Sequence, residues 1–170
     1  LEQKVGQLFL VRPDSLDLSQ TQDQINDAKA DGVTELTDAM RQTLAEYPVG
    51  GVVIFGKNLE SPQQITQFLD DLQQASDTPL FAAIDEEGGL VARLANNAAF
   101  DLPQYESAAA VGTSGNPEDA RAMGRTIGGY LKEYGFNLDF APVADVNTNP
   151  DNPVIGTRAF SSEPQTAADL

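Results

Sequence analysis

Four short apolar runs punctuate the chain: Gln7-Leu8-Phe9-Leu10-Val11, Gly51-Val52-Val53-Ile54-Phe55, Leu80-Phe81-Ala82-Ala83-Ile84 and Asn137-Leu138-Asp139-Phe140-Ala141. The first three are near-continuous rather than alternating, which marks parallel strands covered on both faces; the fourth carries Asp139 inside it. Their lengths and the flanking Gly and Pro favour strand over buried helix. The segments between them read as helices. Ser61-Pro62-Gln63-Gln64 predicts a capping box, with Ser61 accepting from the Gln64 backbone, Gln64 reaching back, and proline at the first helical position. Behind it Ile65, Phe68, Leu69, Leu72 and Ala75 share one face. Asn116-Pro117 opens a second helix with the stripe Ala120, Met123, Ile127, Leu131, Tyr134, and Gly135 is placed to end it. A weaker helix runs from about Asp38 to Glu46, stopped by Pro48, and the polar stretch from Arg12 to Glu35 reads as an excursion with one short helix.

Strand and helix alternate with no hairpin signal, which predicts a parallel α/β architecture, either a doubly wound sheet or part of a closed barrel. Ser162-Glu163-Pro164-Gln165 opens a further helix that has only begun when the chain stops at Leu170. Four βα units are half of an eightfold barrel. The expectation is therefore the first half of a TIM (β/α)8 barrel, with residues 1–170 forming the N-terminal part of a single barrel domain, truncated at the C-terminus.

The 170 residues suffice for one domain and fall short of a whole barrel. Composition narrows the chemistry. With no histidine, no mechanism that needs an imidazole can run on this chain alone; with no cysteine there is no thiolate nucleophile and no disulfide. A net charge of −16 argues against nucleic acid or an anionic membrane surface as partner. No apolar stretch approaches the roughly 18–20 residues of a membrane span, so no membrane insertion is expected, and no signal-peptide pattern opens the chain. The acidic, cysteine-free composition leans towards an extracytoplasmic parent protein. No loop after a strand carries a P-loop or dinucleotide fingerprint, and no cofactor is expected.

In parallel α/β folds, the loops at the C-terminal ends of strands line the active site. Here they carry Arg12, Lys57-Asn58, Asp85-Glu86-Glu87-Gly88-Gly89 and Asp145-Val146-Asn147. Asp85 directly follows an apolar strand, and position alone leaves it balanced between a functional acid and an acidic first turn of a short helix. Adjacent side chains on an extended segment point to opposite faces, so Asp85, Glu86 and Glu87 cannot converge on one ion, and no dedicated metal site is expected. Asp85 and Asp145 on neighbouring strand ends suggest a paired-carboxylate glycosidase centre. Nothing in the sequence raises either pKa, and the pair is not assigned that role.

Several blocks carry a resemblance. Ile84-Asp85-Glu86-Glu87-Gly88-Gly89-Leu90-Val91-Ala92-Arg93-Leu94 resembles the (I/V)-D-(Q/E)-E-G-G-x-V-x-R-(F/L) signature of family 3 glycoside hydrolases, in particular the bacterial β-N-acetylglucosaminidase branch. Asn137-Leu138-Asp139-Phe140-Ala141-Pro142-Val143-Ala144-Asp145-Val146-Asn147 is similar to the fourth-strand motif of that branch. Asn152-Pro153-Val154-Ile155-Gly156-Thr157-Arg158-Ala159-Phe160 resembles the motif that follows it, and Gly50 to Phe55 matches the second strand. The blocks come in family order over essentially the whole chain. Leu90 departs, because many relatives carry arginine there.

The resemblance implies a TIM-barrel hydrolase that removes terminal β-linked N-acetylglucosamine with retention of configuration, in cell-wall or amino-sugar metabolism. By the same resemblance Asp85 binds sugar hydroxyls, notably the 4-hydroxyl, and Arg93 and Arg158 also contact the sugar. A salt bridge to one of the many carboxylates is the structural alternative for each arginine. The family's Lys-His segment, its Asp–His acid/base pair and its nucleophilic aspartate lie after later strands, so this chain is expected to carry no catalytic residue and to be inactive alone. Two other readings stay open: a noncatalytic carbohydrate-binding or interaction module, and a β-glucosidase or β-xylosidase of the same family. The expected partner is a carbohydrate with a terminal β-linked amino sugar. Bare strand edges predict that the isolated chain either self-associates or packs loosely.

Overall fold

The computed structural model describes residues 2–170. Its strands are β1 (Leu10–Val11), β2 (Gly51–Ile54), β3 (Phe81–Ile84), β4 (Glu86–Gly88), β5 (Val91–Ala92) and β6 (Leu138–Asp139). Its α-helices are α1 (Glu2–Gly6), α2 (Gln22–Asn26), α3 (Asp38–Glu46), α4 (Pro62–Ala75), α5 (Ala108–Gly112), α6 (Pro117–Glu133) and α7 (Pro164–Asp169). Strands β1, β2, β3 and β6 form one sheet in that order, with β1–β2 and β2–β3 parallel. Chain-ordered neighbours, with helices in the connections, are the arrangement of the first four units of a (β/α)8 barrel. Among the described residues no helix is long and apolar enough to cross a membrane.

The chain falls into two compact units, one of residues up to Ile84 together with Lys132–Leu138, the other of Asp85–Leu131 together with Asp139–Leu170. In the first, Val52, Ile54, Ala82, Ala83 and Ile84 are buried on both faces of the sheet, as near-continuous apolar runs require. Ile65, Phe68, Leu69 and Leu72 of α4 are each at most 1% exposed, and burying side chains of this size contributes roughly 1.5–3 kcal/mol apiece. That outweighs the roughly 1 kcal/mol of the Ser61 cap, whose hydroxyl accepts from Gln64 N at 3.1 Å. The reciprocal half of the predicted box is displaced by one residue, because the Gln64 side chain accepts from Glu60 N–H at 3.0 Å rather than from Ser61. Its amide also donates to Thr34 O and Asn58 O, which fixes that orientation.

The polar stretch after β1 holds a 3-10 turn (Pro13–Leu16) and α2. It is pinned by a buried network around Asp14, which is fully buried. Lys57 Nζ lies 3.1 Å from its carboxylate, Asn58 Nδ2 donates to it at 3.0 Å, and Val33 N–H at 3.3 Å. Arg12 donates to Ile25 O and stacks over the Phe55 ring. These contacts give Arg12, Lys57 and Asn58 structural work at the strand ends.

Three local expectations change. The first apolar run is strand only from Leu10, because the backbone N–H groups of Gln7, Leu8 and Phe9 close the end of α1. The fourth shrinks to Leu138–Asp139; beside it the Asn137 side chain accepts from Ala82 N–H and donates to Leu80 O, extending the contact with β3 without further strand. The third is the hairpin. The sequence shows no hairpin signal, yet β4 and β5 pair antiparallel across Gly88 and Gly89, whose φ values are +85° and +66°. Only glycine adopts such backbone without strain.

Candidate sugar-binding site

β3 ends at Ile84, so the backbone leaves the sheet at Asp85 and enters the hairpin. The acidic helix turn considered for this segment is absent: Glu86–Gly88 is extended, and the pleat sorts its side chains. Glu86 points inward and is fully buried, while Asp85 and Glu87 stay on the opposite side with partial access.

On that side the three expected site residues form two ion pairs, the second with one further acid. Asp85 Oδ2 accepts from Arg93 Nη2 at 3.0 Å, with about a quarter of the Asp85 side chain and a third of the Arg93 side chain accessible. Arg158 sits on the 3-10 turn Gly156–Arg158 and grips Glu87 with two parallel bonds, Nε to Oε2 at 2.8 Å and Nη2 to Oε1 at 2.6 Å. A third donor, Nη1, reaches Val154 O at 3.2 Å. Glu87 is nearly buried, so this fork-to-fork pair is stronger and better fixed than an exposed one. Arg158 is held charged beyond the usual arginine range, first by its hydrogen bonds to Glu87, with Asp145 and Asp85 adding further negative charge nearby.

The salt-bridge alternative is thus realised for both arginines, but in a form that leaves binding capacity. Among the described residues Asp85 accepts one side-chain hydrogen bond, at Oδ2, and its side chain stays partly accessible. A partly accessible carboxylate paired with a guanidinium, with a second guanidinium nearby, suits hydroxyl groups, each both donor and acceptor. Asp145 is exposed.

Beneath the hairpin lies a second layer of acids. Asp139 is half-buried, its Oδ1 accepts from Glu86 N–H at 3.0 Å, and burial raises its pKa to about 6, with Glu86, Asp85 and Glu87 adding to the rise. Sequence reasoning singled out neither Glu86, Glu87, Asp139 nor Tyr130 for a role. For Glu87 the signal was available, because alternation from Asp85 places residue 87 on the same side.

A family model described as the glycosyl hydrolase family 3 N-terminal domain matches residues 1–170. The beta-hexosaminidase A of Pseudoalteromonas piscicida is 36% identical over 143 residues, covering 81% of this chain and 24% of that protein. The beta-hexosaminidase of Nitrosomonas eutropha is 35% identical over 141 residues, covering 81% of this chain and 40% of that one. Among solved structures, a family 3 β-N-acetylglucosaminidase from Paenibacillus superposes over 100% of this chain and 29% of its own, at 33% identity and a TM-score of 0.81. NagZ of Neisseria gonorrhoeae superposes over 81% of this chain and 42% of its own, at 26% identity and a TM-score of 0.69. The chain thus spans between a quarter and about two fifths of the length of these relatives. From the motifs, the strand order and these matches together, the chain belongs to glycosyl hydrolase family 3, within the N-terminal domain of that family.

Proposed function

We propose that this chain forms the sugar-binding floor of an exo-acting, retaining β-N-acetylglucosaminidase whose nucleophile and acid/base lie outside these 170 residues. The observation that carries the reading is the partly accessible Asp85 carboxylate paired with Arg93, with the Glu87-anchored Arg158 near enough to feel its charge. An anionic acceptor inside a ring of donors recognises a terminal hydroxyl array, and a closed floor at the 4-hydroxyl restricts cleavage to chain ends. The names of the relatives, beta-hexosaminidase and β-N-acetylglucosaminidase, supply the sugar. The absence of histidine from the chain agrees with an acid/base dyad supplied elsewhere.

The test uses the hydrolase that contains this segment. Asp85→Ala removes one charge-assisted hydrogen bond, worth roughly 1.5–3 kcal/mol, and should lower kcat/KM for a chromogenic β-N-acetylglucosaminide about 10- to 100-fold. Unchanged kinetics would reduce Asp85 to a salt-bridge partner of Arg93.

A further inference from the structure

The site stands on a small support. β4 and β5 contribute three and two residues with an irregular register, and a two-stranded hairpin of that size is marginal in water by itself. Its rigidity has to come from elsewhere. Glu86 is the one side chain of β4 that turns away from the site, and it is 0% exposed. Its Oε2 accepts from Leu94 N–H at 2.8 Å, and its Oε1 from Ala95 N–H at 2.9 Å and from Tyr130 Oη at 2.8 Å. Both oxygens are satisfied, as a buried carboxylate demands. Tyr130 is itself buried on α6, a helix of 17 residues. Burial and the Glu86 charge push its phenol far above the usual tyrosine range, so it remains a donor.

The sequence positions of these contacts matter. Asp85 and Glu87 are the immediate neighbours of Glu86, and Arg93 immediately precedes Leu94. Each site group on the hairpin is therefore one residue from a backbone or side-chain atom that the Glu86 carboxylate holds. A shift of the Leu94–Ala95 segment would carry Arg93 away from Asp85, and a rotation at Glu86 would move Asp85 and Glu87 together. We propose that Glu86 and Tyr130 are positioning residues for sugar recognition: the Glu86 carboxylate clamps the segment after β5 to the α6 hydroxyl and so sets the Asp85–Arg93 and Glu87–Arg158 geometry. The inference rests on the functional reading above. On this reading neither buried residue contacts the sugar itself.

The test is a titration of the hydrolase that contains this segment with N-acetylglucosamine, combined with thermal unfolding of each variant, at a temperature where all variants are folded. Tyr130→Phe keeps the ring and its packing and deletes one donor; it should raise the dissociation constant about three- to tenfold. Glu86→Gln replaces one acceptor oxygen by a donor that faces either a backbone N–H or the tyrosine, and should raise it further. A merely structural role lowers the unfolding midpoint but leaves the affinity of the folded molecules unchanged, and that result would overturn the proposal; so would unchanged affinity with an unchanged midpoint. If Glu86→Gln does not fold, Tyr130→Phe alone decides. If the wild-type hydrolase shows no binding at all, the sugar-binding reading itself falls. Binding by the wild type that is lost in Asp85→Ala and kept in both positioning variants would sink this inference alone.

Discussion

Asp139 connects the chemistry of the site to pH. Its folded pKa of about 6 exceeds the 3.8 of a free aspartate, chiefly because burial disfavours the charged form. Between pH 4 and 6 the native state therefore binds more protons at this residue than the unfolded chain does. By linkage, its contribution to stability falls as pH rises through that window and is least favourable above pH 6. Asp139→Asn keeps an Oδ1 acceptor for Glu86 N–H and cannot ionise. The variant should raise the unfolding midpoint by a few degrees at pH 7.5 and by much less at pH 4.5, as followed by circular dichroism. An equal shift at both values would mean that charge at position 139 has no part in it. The neighbouring carboxylates differ in their contacts: Asp85 pairs with Arg93 and stays partly accessible, Glu87 anchors an arginine, and Glu86 is enclosed.

At the scale of the element, the hairpin is the piece that turns a family motif into a site. Gly88 and Gly89 both adopt positive φ, and a Cβ at Gly89 would stand 2.9 Å from Glu106 O, a backbone atom that cannot easily move aside. Gly89→Ala should therefore destabilise the chain by about 1–2 kcal/mol from left-handed backbone alone, with the contact adding to it. Urea unfolding measures this, and a neutral result would mean that the turn relaxes freely. The long elements were legible because their signals are local. Proline and a capping side chain opened α4 and α6, and apolar stripes filled them; α3 begins and ends where its periodicity does. The hairpin was not legible. Glu86-Glu87-Gly88 has no apolar alternation, and its strand state depends on Glu86 meeting Tyr130, 44 residues away in sequence. Asp85, Arg93 and Arg158 were named through the motifs they sit in, whereas the pairing of Glu87 with Arg158 spans 71 residues and is a property of the fold.

For the whole molecule, the sheet places β1 at one edge, and around it the chain exposes apolar surface. Leu8 is 79% and Phe9 55% exposed, beside an open groove that Val5, Val11 and Tyr47 help to line. An uncovered strand edge with apolar flanks is a template for pairing, and the charge of −16 opposes association without covering the edge. Sedimentation at micromolar concentration should therefore report a mass above that of one chain; a sharp monomer boundary would show that charge repulsion prevails. The central claim, that Asp85, paired with Arg93, reads the 4-hydroxyl of a terminal amino sugar, has a more direct test. N-Acetylglucosamine and its C4 epimer N-acetylgalactosamine differ only in the direction of that hydroxyl. Titrated side by side against the hydrolase that contains this segment, the first should bind at least about tenfold more tightly, the factor that losing one well-placed hydrogen bond brings. Equal affinity for the two epimers would contradict the account.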